Sequence, residues 1–331
     1  DRRIPGSRRH LQAGKAPRAA GREYATLNPF HPGGFAGLGA SWKSQSPVIR
    51  GVVMMCASTV AFAVMHFSVR VASGELHPFQ IAFFRNLFGL AFLVPLLIGP
   101  GFVQMRTRRF GLHALRGVVN IAAMFLFFTA LAITPLAKVT ALGFTAPIFT
   151  SVLSVLIFKE KIRLRRWTAI GLGFVGMLII LRPGLAVVET GSLLVIAAAL
   201  LWSLALIIVK TLSRTESSVA IVAWMGIFLS VFSVGPALWV WKDPTPWAWG
   251  WLLFIGFAGS VAQVSLSQAL KETEPTAVMP FDFLKLIWAA LLAFWFLGEI
   301  PDEMTFVGAA VIFGSGLYVA QRERAAAKAG K

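Results

Sequence analysis

Ten apolar stretches constrain this chain more than any other feature. They run Gly51–Val71, Pro78–Ile98, Leu112–Leu131, Ala137–Phe158, Trp167–Leu181, Ser192–Val209, Ser218–Trp239, Trp247–Ala269, Ala277–Leu297 and Phe306–Ala320. A helix needs about 20 residues to cross the hydrocarbon core of a bilayer, and most of these stretches have that many or nearly so. In hydrocarbon every backbone N–H and C=O must be satisfied within its own segment, which leaves the α-helix as the structure they adopt. The expected fold is an all-α integral membrane protein with ten transmembrane helices.

Charge orients them. Of the 31 Lys and Arg, 24 fall in alternate compartments beginning with the N-terminus, while Arg70, Lys138, Arg182 and Lys242 mark the intervening ends. Only Arg85, Arg116 and Lys285 lie well inside spans. Cytoplasmic loops collect Lys and Arg, so both termini are predicted to be cytoplasmic. The net charge of +17 would suit nucleic acid, but the basic residues border apolar spans and form no aromatic-interleaved patch. The lipid bilayer is the expected partner, and no nucleic acid. Residues 1–48, rich in Gly, Pro, Ala and Arg with only Asp1 and Glu23 acidic, read as a disordered basic cytoplasmic tail. An Arg-rich, acid-poor transit segment is the alternative. Residues 322–331 form a second basic tail. A single cysteine, Cys56, excludes an internal disulfide and a cysteine-built metal cluster.

The chain also repeats itself. A shift of 140 places Gly51 on Gly191, Phe62 on Trp202, Arg70 on Lys210, Ile81 on Ile221 and Phe84 on Trp224. Later in each half the shift is 139, pairing Ala130 and Leu131 with Ala269 and Leu270, and Glu160 with Glu299. Two five-helix repeats follow, at residues 49–182 and 190–321. Five is odd, so the second repeat enters the membrane from the opposite side and the two are inverted. Many secondary transporters are built this way, with substrate bound near the midplane between repeats.

Three segments carry a family resemblance: PLAKVTALGFTAPIFTSVLSVLIFKEKIRLRR at Pro135–Arg166, GSLLVIAAALLWSLALIIVK at Gly191–Lys210 and MPFDFLKLIWAALLAFWFLGE at Met279–Glu299. Through them the chain resembles the drug/metabolite transporter superfamily, and within it the EamA-type two-repeat, ten-helix transporters. The third segment is similar to the branch that contains S-adenosylmethionine-uptake carriers. The resemblance implies a secondary transporter moving a small organic metabolite (amino-acid-like, nucleoside-like or drug-like) across the bacterial inner membrane by alternating access. One departure stands out. Leu286 and Ile287 occupy positions where a proline is expected in the second half, so a kink in the ninth span would have to come from Pro280.

Polar groups inside spans are costly and mark sites by default. Asp282 and Lys285, at i,i+3 on the ninth span, share a face as an ion pair; their repeat mates Gly143 and Ala146 are neutral. The pair either binds a charged or zwitterionic substrate or simply orients its helix. Asn120, deep on the third span, either lines the cavity as a substrate contact or ties helices together, and Gln263 on the eighth is a candidate ligand contact. His113 and Arg116, nearer the membrane surface, read as interfacial anchors ahead of a substrate role. Arg85 either attracts an anionic group or holds backbone carbonyls. His66 is either a satisfied packing residue or the proton-coupling candidate, since imidazole titrates near neutrality. Trp202 and Trp288, at positions that the resemblance places around the central cavity, either stack on a flat or cationic ligand or simply pack between helices. Glu160 and Glu299, repeated in both halves, read as scaffold. Glycines in the fifth and tenth spans, among them Gly171, Gly176, Gly308 and Gly314, allow close helix contact and with it a homodimer. No metalloprotease, phosphate-loop or nucleophile-elbow motif occurs, so no catalytic residue, cofactor or metal is expected. A membrane enzyme such as an acyltransferase, or a non-transporting scaffold, is the alternative.

Overall fold

The computed structural model describes residues 45–97, 107–158, 164–182, 189–212, 215–216, 218–273, 278 and 281–329, and the statements below concern these. They are helical almost throughout: α1 (Pro47–Ala72), α2 (Pro78–Leu97), α3 (Phe110–Ile133), α4 (Leu136–Gly143), α5 (Ala146–Phe158), α6 (Leu164–Leu181), α7 (Thr190–Leu212), α8 (Ser218–Trp239), α9 (Pro246–Glu272), α10 (Leu284–Leu292, continued by a π-turn over Ala293–Leu297) and α11 (Glu303–Ala329). Two helix starts are explicit in the sequence. Ser46 and Thr245 accept hydrogen bonds from Ile49 N and Ala248 N, and Pro47 and Pro246 open the first turns, where a missing N–H costs nothing. The expected residues 1–48 tail lies almost wholly outside the described residues.

Five helical stretches are long and apolar enough to cross a membrane: Pro47–Ala72, Phe110–Ile133, Leu136–Ile157, Thr190–Leu212 and Pro246–Glu272. Ile170–Leu181, Ala223–Trp239, Leu284–Leu297 and Glu303–Ser315 are apolar but shorter. Large apolar side chains such as Leu156, Trp239 and Phe296 face outward, as a lipid-facing surface requires.

Helix pairing follows the repeat. α1 packs on α9, and its counterpart α7 packs on α3. α2 meets α9 as α8 meets α3, and α10 meets α1 as α4 and α5 meet α7. Three further pairings, α2 with α8, α4 with α10 and α6 with α11, join repeat mates to each other. Lipid gives helices no hydrophobic reason to associate, so small residues and close packing hold them together. Ala123 and Ala130 of α3 and Ala198 and Ala199 of α7 are accordingly buried. Ser58 Oγ of α1 donates to Ala262 O of α9 at 2.9 Å, a bond worth about 0.6 kcal/mol in a bilayer.

The fourth span is not one helix. α4 stops at Gly143 and α5 begins at Ala146. Pro147 lacks an N–H and its ring crowds the carbonyl four residues back, at Gly143. Thr145 Oγ1 donates to Leu142 O at 2.7 Å, turning the chain between the pieces. The ninth span breaks at the equivalent place: Phe281 and Asp282 are helical, Phe283 is a turn, and α10 starts at Leu284. Pro280 itself lies outside the described residues.

Two glycines of the fifth and tenth spans serve contacts within the chain. A Cβ on Gly176 would stand 2.7 Å from Gly308 O, and one on Gly308 2.5 Å from Gly176 O. These two let α6 and α11 touch backbone to backbone, whereas Gly171 and Gly314 meet nothing within 4 Å.

Candidate functional site

A cavity of about 330 Å³ lies among the helices, within the size range of small-molecule sites. Both halves build it. α1 supplies Phe62, Met65 and His66, and α2 supplies Arg85; α3 gives Asn120, Met124, Phe127 and Phe128. α4 contributes Thr140 and its last residue, Gly143. From the second half come Trp202 of α7, Met225 and Leu229 of α8, Gln263 of α9 and Lys285 of α10. Gly143 and Lys285 flank the two helix breaks, so each break has a lining residue beside it.

Six predicted residues are brought together on its wall: His66, Arg85, Asn120, Trp202, Gln263 and Lys285. Asp282 and Trp288 are not among the lining residues. Asp282 does pair with Lys285, whose Nζ lies 3.4 Å from both carboxylate oxygens, longer than the usual 2.7–2.9 Å of such bonds. The ammonium also sits over the Phe144 ring at 4.9 Å and the Phe62 ring at 5.7 Å, within cation–π range. Trp288 instead buries its indole Nε1 without a hydrogen-bond partner among the described residues.

Arg85 does not hold backbone carbonyls among the described residues. Its Nη1 donates to Asn86 Oδ1 at 3.0 Å, and its buried Nε has no partner. Gly259 of α9 makes room for it, since a Cβ there would stand 3.2 Å from that Nε. His66 is 8% exposed, packs on Phe127 at 5.1 Å between ring centroids, and leaves Nδ1 unpartnered. Phe127 also packs on Trp202 at 4.9 Å.

The anchoring role expected of His113 and Arg116 is corrected. Both turn inward, at 1% and 8% exposure, onto α8. Arg116 donates to Ile221 O at 2.8 Å and reaches Met225 Sδ at 3.1 Å. A long side chain on an inward helix face follows that face rather than its depth.

Glu299 has the scaffold role expected of it. Gly298, at φ 65°, ends the π-turn in the left-handed region that glycine enters freely. Glu299 then accepts from Arg70 Nη2 at 3.0 Å and from Leu136 N, at the start of α4, at 2.9 Å. Arg70 also donates to Leu131 O at 3.1 Å and to Ala132 O, so one network ties α1, the end of α3, the start of α4 and the end of α10. Its repeat equivalent, Glu160, lies outside the described residues.

The cavity residues that sequence reasoning missed are Met65, Met124, Phe127, Phe128, Thr140, Gly143, Met225 and Leu229, with Phe62 noted only as a repeat match. Apolar residues in a membrane helix carry no local mark of whether they face lipid or cavity. Gly143 and Thr140 alone had a signal, four and seven residues before Pro147.

Fold and site together define a multi-pass helical membrane protein, with two related halves that both line one cavity. The family model of EamA-like transporters matches residues 49–182 and again 189–320; the chain belongs to the EamA-like transporter family. It is 31% identical to an S-adenosylmethionine uptake transporter of Rickettsia bellii, over 76% of this chain and 87% of that protein. A riboflavin transporter of Vibrio cholerae is also 31% identical, over 83% and 94%, and a pseudopaline exporter of Pseudomonas aeruginosa 26%, over 79% and 93%. One crystal structure aligns with TM-score 0.56 at 16% identity, covering 83% of this chain and 96% of that one, which speaks to fold alone.

Proposed function

We propose that this protein is a secondary carrier that moves a small organic metabolite across the bacterial inner membrane by alternating access. Ten spans form two inverted five-helix repeats with both termini in the cytoplasm, and one repeat rocks against the other about the central cavity. The observation that carries this reading is the cavity itself, built from both repeats and bordered by a helix break in each. Discontinuous helices at a repeat interface are the usual substrate site of such carriers. The transporter names of the relatives support the same reading over a membrane enzyme or an inert scaffold. In it, Lys285, Arg85, Asn120 and Gln263 hold the polar groups of the solute, Trp202 stacks on its flat part, and Asp282 positions Lys285. Trp288 supports the cavity from behind its wall. His66 carries the coupling proton. A homodimer through the fifth and tenth spans would use the open Gly171 and Gly314 positions.

Purified protein in liposomes, offered S-adenosylmethionine and riboflavin as first solutes, tests the reading. Expected is saturable accumulation that Lys285→Met and Arg85→Met each reduce. Absence of any solute movement, with both substitutions silent in cells, would refute it.

A further inference from the structure

The charges around the cavity do not balance. Arg85 and Lys285 both line it, and among the described residues no carboxylate does. The sequence offers little to compensate, because Asp282 is the only acid inside any of the ten apolar stretches. Its contact with Lys285 is long, at 3.4 Å, and among the described residues no acidic side chain pairs with Arg85. The guanidinium carries five N–H donors; here Nη1 meets a neutral amide and the buried Nε meets no partner. A cation held at membrane depth without a counter-charge is expensive, and a ligand that supplies the missing charge removes that penalty.

We infer that the solute carries an anionic group, a carboxylate or a phosphate, bound between Arg85 and Lys285, with a flat ring system against Trp202 and Phe127. This rests on the carrier reading and narrows its substrate class. The planar fork of arginine suits carboxylate and phosphate alike. The Trp202–Phe127 pair, centroids 4.9 Å apart, offers ring surface on the same wall. The same rings could attract a cation, but two fixed cations lining the same cavity oppose one.

Two ligand pairs that differ in a single charged group test this with the detergent-purified full chain: flavin mononucleotide against riboflavin, and S-adenosylhomocysteine against S-adenosylmethionine. The first pair adds a phosphate to a constant ring, and the second adds a sulfonium cation. Ligand that binds the folded state raises the melting midpoint by mass action. Flavin mononucleotide is expected to bind at least about tenfold tighter than riboflavin, the scale of a desolvated charge pair. S-adenosylhomocysteine is expected to bind tighter than S-adenosylmethionine. Arg85→Met and Lys285→Met should each erase the phosphate preference, and the wild-type comparison stands if either variant fails to fold. Equal binding within both pairs, a preference for the sulfonium, or no stabilisation by any of the four overturns the anion assignment. Movement of the four into liposomes is read separately. Transport without anion preference removes the anion and leaves the carrier, whereas anion-selective binding without transport keeps the site and removes the carrier.

Discussion

Phe144 and Phe283 face each other with ring centroids 5.1 Å apart and planes tilted by 31°. They are 139 residues apart in sequence, the offset that relates the second halves of the two repeats. Each marks the break in its span, and the contact lies where the two discontinuities meet beside the cavity. The Phe144 ring also helps seat Lys285, whose ammonium lies over it at 4.9 Å. A double-mutant cycle of Phe144→Leu and Phe283→Leu, read from melting midpoints, should give a coupling of about 0.5–1.5 kcal/mol, as for other aromatic pairs. Strict additivity would mean that the breaks do not support each other.

Lys285 lines the cavity and Asp282 does not, so the two substitutions should differ. Lys285→Met is expected to lower transport of the best solute about tenfold, equivalent to ~1.4 kcal/mol, and Asp282→Asn by less. Initial uptake rates in liposomes decide it, and a larger effect at Asp282 would reverse their assigned roles.

Glu299 serves two donors at once, Arg70 and the Leu136 N–H. Glu299→Ala leaves both without it and should destabilise the protein by about 1.5–3 kcal/mol, the range of hydrogen bonds to charged groups. Glu299→Gln keeps an acceptor for one of them and should fall between wild type and Ala. Thermal melts of the three proteins give the order directly.

Gly308 has no room for a side chain. Gly308→Val drives carbon into the Gly176 carbonyl, and overpacking of this kind costs about 1–3 kcal/mol. Gly314→Val on the same helix, with nothing within 4 Å, should leave the melting midpoint nearly unchanged. Equal loss from both would show that α6 and α11 are not packed as described.

Outside the spans, Glu75 accepts hydrogen bonds from Thr245 N at 3.0 Å and Thr245 Oγ1 at 2.9 Å. The backbone N–H is the main cause that holds its carboxyl below the ordinary value, with the Thr245 hydroxyl and Lys242 adding to it. A carboxylate favoured in the folded state stabilises above its unfolded pKa, about 4.3, and that contribution fades as the pH falls through the lower folded value. Melting midpoints between pH 6 and 3 should therefore fall more shallowly for Glu75→Gln than for wild type. Parallel curves would remove the link.

Helix, bilayer and repeat were all legible in one dimension, because apolar run length, basic-residue alternation and a constant offset are properties of order along the chain. So were six of the cavity residues, since a polar group inside an apolar run is conspicuous wherever the helix points. What order cannot carry is the direction of a side chain around its helix. His113 and Arg116 were expected at the membrane surface by depth, yet face α8. Asp282 and Trp288 sit on the same span as Lys285, and neither lines the cavity. The break at Phe283 had only Pro280, three residues earlier, to announce it, and the excess positive charge that Arg85 adds to the Asp282–Lys285 pair appears only when distant helices meet. Those matters were decided by packing, because each helix could present any face until its neighbours, through Gly259, Gly308 and the facing phenylalanines, allowed one.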